Sequence, residues 1–112
     1  MRLDDVADVV VDRTGGHKYI VVAVIDEAGN TKLIVRADKR QEYHMDIFDA
    51  VRMHFPGSWK SRCVGGGQIR VDQAQRTIEI WGSSGSYGVE PDRAQTARML
   101  GCAFPEFGVI FE

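Results

Sequence analysis

The three histidines of this sequence, His17, His44 and His54, are its only side chains that ordinarily change charge between pH 5 and 8. His44 lies in Tyr43-His44-Met45-Asp46, just inside the start of an expected helix. Free backbone N–H groups and the helix dipole favour an anion there. An imidazole so placed can accept a proton from water or take a phosphoryl group. By position alone it also reads as an ordinary half-exposed first-turn residue. His54 falls near the end of the same helix, where a cation suits the dipole, and reads as structural. His17 begins a strand after a turn and is expected to be exposed.

Several other chemistries lack their residues. Cysteine phosphatases place five residues between the thiolate and an arginine, because a ring of loop amides must close around phosphate. Here six residues separate Cys63 from Arg70, and a ring of defined length does not close. There is no Gly-x-x-x-x-Gly-Lys-Ser/Thr phosphate loop and no Arg-His-Gly signature. The histidines and carboxylates have no metal-ligand spacing such as His-Glu-x-x-His, so neither a metal nor another cofactor is expected. Gly65-Gly66-Gly67 could let a backbone approach a ligand, although a bulge or bend is the simpler reading. Ser83-Ser84-Gly85-Ser86-Tyr87-Gly88 could offer hydroxyls and amides to phosphate, or could simply connect a strand to a helix. Lys18 and Arg36 stand at strand ends, where scattered surface charge is the plain expectation.

Composition sets the bounds. A chain of 112 residues, 44% apolar and 27% charged, fits one soluble domain, expected to span 1–112. Its net charge of −2 lacks the basic excess of a nucleic-acid binder. No apolar run approaches the roughly 20 residues of a membrane span, and Met1-Arg2-Leu3-Asp4-Asp5 lacks the apolar stretch of a signal peptide. A cytoplasmic location is expected, with Cys63 and Cys102 as reduced thiols.

The elements that must position these residues follow from periodicity. Asp5 to Asp12 reads as a first strand, Lys18 to Ile25 as a second and Thr31 to Arg36 as a third, with a hairpin between the last two. Tyr43, Ile47, Val51 and Phe55 recur every four residues, predicting a helix over 41–54. Asp38 and Gln41 have capping-box spacing for its start. Strands follow within Arg62 to Val71 and over Thr77 to Trp81. Pro91 opens a second helix with Ala94, Ala97, Met99 and Leu100 on its core face, and Phe107 to Phe111 is a last strand. The expected fold is α/β of the α+β type, a six-stranded mixed sheet flanked by two helices in a single domain.

Read in order, the motifs resemble the Janus/ocnus family. The resemblance is carried by His17-Lys18-Tyr19-Ile20, Ile34-Val35-Arg36, Glu42-Tyr43-His44-Met45-Asp46-Ile47-Phe48-Asp49 and Cys63-Val64-Gly65-Gly66-Gly67. It continues through Trp81-Gly82-Ser83-Ser84-Gly85-Ser86-Tyr87-Gly88 and closes around Pro105-Glu106-Phe107. It implies metal-independent hydrolysis of the P–N bond of phosphohistidine, with His44 as general base or, alternatively, nucleophile. It further implies that Lys18, Ser84 and the backbone around Tyr43, His44, Met45 and Ser86 hold phosphate, with Arg36 nearby. The partners would be phosphohistidine-containing proteins or small phosphoramidates, with no nucleic acid or membrane, and the chain would act as a monomer. Rival readings are a phosphate-binding module without catalysis, a phosphatase acting mainly on phospholysine or small phosphoramidates, and a purely structural domain.

Better-known family members follow the glycine triplet with an arginine; here that position is Gln68. Gly85 and Ser86 stand where those members carry Met and Ala, a change that leaves a backbone donor at Ser86 intact. Arg70 lies two residues beyond Gln68, on the same strand face, and is the expected source of the missing cation. Arg70→Ala is therefore expected to weaken substrate affinity and turnover, measured by steady-state phosphate release; unchanged kinetics would rule out that substitute role.

Overall fold

A computed structural model describes residues 1–112. Its elements are β1 (Val9–Val10), β2 (Gly15–Ile25), β3 (Thr31–Ala37), α1 (His44–Arg52), β4 (Lys60–Asp72), β5 (Thr77–Trp81), α2 (Arg93–Ala103) and β6 (Gly108–Phe111). The strands form one six-stranded mixed sheet in the order β1-β3-β2-β4-β5-β6, parallel at its two ends and antiparallel between. One helix packs on each face. No helix is long and apolar enough to cross a membrane.

Strand alternation divides the apolar residues between the faces. Ile20, Val22, Val24 and Ile34 pack with Ile47 of α1 and with Trp59. Tyr19, Val21, Val35, Ile69, Val71, Ile78 and Ile80 form the larger cluster with Ala97 and Leu100 of α2. The continuous β-branched run of β2 is explained by this two-sided burial. The second helix buries Thr96 rather than Ala94, and Met99 packs at the cluster's edge. Asp92, one residue past Pro91, caps it by accepting from the Gln95 amide.

Four local expectations are corrected. The first strand does not run from Asp5 to Asp12: Leu3–Asp5 is a single 3-10 turn and only Val9–Val10 pairs with β3. Side chains from β3 take the carbonyls there, Arg36 bonding Ala7 O and Lys32 bonding Leu3 O and Val6 O. The helix covers His44–Arg52 rather than 41–54, and no Asp38–Gln41 capping box forms. Asp38 instead accepts from the Arg40 amide and guanidinium, and Tyr43 becomes an N-cap without a side-chain hydrogen bond. β2 begins at Gly15 rather than Lys18, because Gly15 and Gly16 already pair with Val71 and Arg70. That register makes His17 an interior residue opposite Ile69, only 9% exposed and with both ring nitrogens unpartnered.

The glycine triplet lies inside β4, beside a bulge that leaves Val64 unpaired between Val21↔Gly65 and Val22↔Cys63. Gly65 has φ +150°, and a Cβ on it would lie 2.1 Å from the Glu90 amide nitrogen. Backbone strain and a backbone clash therefore act together at that position. Gly65→Ala is expected to destabilise the fold by about 3 kcal/mol or more, checked by urea denaturation against the wild type.

Candidate active site

His44 is the first residue of α1, and helix formation from an extended Tyr43 turns its ring onto the bare backbone of β4. A Cβ on Gly66 would lie 2.2 Å from Tyr19 O and 3.2 Å from His44 Cδ2, so the missing side chain makes room for the β2 backbone as well as for the ring. His44 is 6% exposed, buried more deeply than a first-turn position implies. Its Nε2 lies 2.9 Å from the Gly67 carbonyl oxygen. A carbonyl only accepts, so Nε2 carries the proton and the lone pair is left on Nδ1. Nδ1 has no protein partner and is not enclosed, so it faces solvent.

Burial holds the His44 pKa below the ordinary histidine value, and the nearby Lys18 ammonium lowers it further. The hydrogen bond to Gly67 opposes both without overcoming them. Near neutral pH the ring is therefore an uncharged base. Lys18 is fixed by donating to Glu42 O in the segment entering α1, with its ammonium 5.3 Å from the centre of the Tyr43 ring. The amides of His44 and Met45, the first two of α1, have no acceptor within the protein. They offer two donors beside Lys18 and Nδ1. The Tyr43 and Met45 side chains are 58% and 52% exposed, so their backbones rather than their side chains belong to this donor set.

The β5–α2 loop closes the other side. Gly66 N donates to Gly88 O, and Ser84 and Gly88 exchange backbone hydrogen bonds at 3.1 and 2.8 Å. The Tyr87 ring meets Phe48 of α1 edge-on, with centroids 5.8 Å apart. Ser84 is buried, and its Oγ accepts from the Ser86 and Tyr87 amides. Its hydroxyl proton remains available to an anion, whereas the Ser86 amide already has an acceptor. First helical turn, glycine segment and loop thus meet around His44. Together they form a small polar site with one neutral base, one ammonium and several hydrogen-bond donors.

Two of the expected residues stand apart from this cluster. Arg36 is opposite Ile20 on the α1 face, but its guanidinium bonds Val35 O and Ala7 O, and burial lowers its pKa to about 10. It lines a cleft of about 440 Å³ between α1 and the β1–β3 edge, which contains none of His44, Lys18 or Ser84. Arg70 is exposed, opposite Gly16 and Glu79, one level along the sheet from the row formed by Lys18, Gln68 and Trp81. No three His, Cys, Asp or Glu side chains are grouped so as to hold a metal ion.

Reading the sequence missed Glu90 and Arg93. Glu90 is buried and accepts from the Tyr19 hydroxyl at 2.7 Å, Thr96 Oγ1 at 2.9 Å and Arg93 Nη2 at 2.9 Å. Burial raises its pKa, but Arg93, Tyr19, its own backbone amide and Thr96 together outweigh burial and leave the carboxyl below its usual value. The one available signal was the spacing Glu90-x-x-Arg93 at a helix start, which also fits any surface ion pair.

Comparison with known proteins adds the relationship. Residues 3–108 match the Janus/Ocnus family. The chain is 31% identical over 96 positions to the sex-regulated protein janus-A of Drosophila yakuba, covering 85% of this chain and 70% of that protein. It is 32% identical over 117 positions to the 14 kDa phosphohistidine phosphatase of Sus scrofa, covering 97% and 91%. Against the Homo sapiens protein of the same name identity is 31% over 114 positions, covering 95% and 90%.

Because the Lys18 ammonium disfavours a second positive charge nearby, Lys18→Met is expected to raise the His44 pKa toward the ordinary histidine value. An NMR titration of the His44 ring in both proteins checks this, and an unchanged or lowered midpoint would contradict the electrostatic coupling.

Proposed function

The chain belongs to the Janus/Ocnus family, and on that premise we propose that it is a metal-independent phosphatase hydrolysing the P–N bond of phosphohistidine. The observation that carries this reading is His44: its Nε2–H is tied to Gly67 O, its Nδ1 lone pair is left without a protein partner, and the Lys18 ammonium and uncapped amides belong to the same helix start. Two relatives named as phosphohistidine phosphatases align over nearly all of the chain. Phosphohistidine-containing proteins are the proposed substrates, and small phosphoramidates present the same reacting group.

In the proposed reaction Lys18, the His44 and Met45 amides and the Ser84 hydroxyl hold the phosphoryl oxygens. The Ser86 amide joins them by exchanging its bond to Ser84 Oγ for one to phosphate. These donors offset charge on the equatorial oxygens, so positioning and electrostatics supply most of the acceleration. His44 Nδ1 takes a proton from a water that attacks phosphorus in line. The P–N electron pair leaves with the substrate nitrogen, which takes a proton from solvent as the bond breaks, and the proton held on His44 Nδ1 returns to solvent. Arg70, exposed and without an ion-pair partner one row beyond Gln68, supplies positive charge at the outer edge in place of an arginine at Gln68. Arg36 acts indirectly, holding the N-terminal segment to β3.

The neutral ring is the active form, and its pKa lies below the ordinary histidine value. Turnover should therefore fall with acidification only below that ordinary value and be level at neutral pH. His44→Ala is expected to lower kcat by about 10²- to 10⁴-fold, measured as phosphate release from a phosphohistidine peptide and from phosphoramidate, with EDTA without effect on the wild type. Full activity in the variant, or loss with EDTA, would overturn the proposal. Binding of the peptide by the wild type without release would instead identify a phosphate-binding module.

A further inference from the structure

The ladder between β4 and β5 runs only from Gln68↔Trp81 to Asp72↔Thr77, so Gly65, Gly66 and Gly67 have no partner on β5. On the side where β5 would have continued, Gly66 N donates to Gly88 O and Gly66 O accepts from Arg93 Nη2 at 3.1 Å. Arg93 thus occupies the place of a missing strand. Its Nη2 also bonds Glu90 Oε1, its Nη1 donates to Glu112 O at 2.8 Å, and its guanidinium lies 5.8 Å from the Tyr19 ring centre. The side chains of Arg93 and Glu90 are only 9% and 2% exposed.

Stability alone does not account for such a pair. Desolvating two charges costs several kcal/mol, and well-packed apolar side chains of similar volume often stabilise as much or more. The peptide held by Arg93 is also an unusual one. Gly66 and Gly67 have no side chains to restrict them, and glycine has the softest backbone of any residue. The neighbouring bulge disrupts the ladder on the β2 side as well. Yet the next carbonyl, Gly67 O, is the one that fixes the His44 ring and its tautomer. Gly67 leaves the room: a Cβ there would lie 2.4 Å from Trp81 O and 2.9 Å from Arg93 Nη2.

We propose that Arg93, held by Glu90, is a positioning residue: it pins the Gly66–Gly67 backbone from the α2 face so that Gly67 O keeps the His44 proton on Nε2 and the lone pair on Nδ1. The inference rests on the reading of His44 as the base, but it acts through geometry that exists without substrate. Tyr19 and Thr96 are the outer supports, fixing the Glu90 carboxylate that in turn orients the guanidinium.

The test is nitrogen NMR of the imidazoles in the wild type and in the double variant Arg93→Met with Glu90→Gln. This pair removes the donor to Gly66 O without leaving a buried charge unpaired. Wild-type His44 at neutral pH is expected to be entirely the Nε2–H tautomer. In the double variant an Nδ1–H fraction should appear, and kcat for phosphoramidate should fall about 10- to 100-fold while KM changes little. A folded double variant with an unchanged His44 tautomer and wild-type kcat overturns the proposal. If the double variant does not fold, Arg93→Lys, which keeps the charge beside Glu90 but loses the guanidinium fork, decides by the same spectrum. An unchanged tautomer and kcat there are equally fatal. Failure of the base reading itself appears separately, as a wild type that releases no phosphate from any P–N substrate; the tautomer spectrum does not depend on that outcome.

Discussion

Three consecutive residues without side chains, Gly65, Gly66 and Gly67, are the point on which the two halves of the molecule meet. Each missing Cβ makes room for other parts of the fold: the Val89–Glu90 backbone at Gly65, Tyr19 O and the His44 ring at Gly66, and Trp81 O and the Arg93 guanidinium at Gly67. Because successive strand residues face opposite ways, α1 reaches this segment from one face of the sheet and α2 from the other. The bulge at Val64 and the early end of the β4–β5 ladder free the backbone groups that these contacts then use. Any side chain inserted here would push apart elements that are distant in sequence.

The electrostatic character of the site follows from this packing. His44 is buried against the glycine backbone, and burial lowers its pKa before any charged neighbour acts. Lys18 lowers it further while providing the positive charge that an oxyanion needs. In the proposed reaction one ammonium thus serves two ends: it helps burial keep the base neutral and it attracts the group to be attacked. On the opposite face Glu90 stays ionised because Arg93, Tyr19, its own backbone amide and Thr96 together outweigh its burial. Burial, aided by the same carboxylate, pushes the Tyr19 phenol well above its usual range. Positive charge is therefore neutralised on the α2 face and left available on the α1 face.

Much of the fold was legible because its signals are local. The β-branched run of β2, the turn before Thr31, the four-residue spacing from Ile47 to Val51 and the alternation in β5 each depend only on neighbours in sequence. The errors fell where a competing hydrogen bond took over. Arg36 and Lys32 claimed the carbonyls of the N-terminal segment and shortened its strand. Arg40 claimed Asp38 and dissolved the capping box. His17 was misjudged because pairing of Gly15 and Gly16 with β4 extended β2 backwards, a register that no local pattern records.

The candidate residues and the family are written in the sequence: His44 at a helix start, Lys18 after a turn, a glycine triplet and a serine-rich loop, in an order that marks the Janus/Ocnus family. What those residues do to one another is not written there. Which ring nitrogen of His44 carries the proton depends on Gly67 O, 23 residues away. The Glu90–Arg93 pair looked like any surface ion pair until α2 folded over the sheet and buried it against Tyr19, 71 residues from Glu90. Spacing along a chain fixes which side chains share a local face. Burial, hydrogen-bond direction and proton placement are set by contacts between separate elements, and those exist only once the sheet has closed around its three bare glycines.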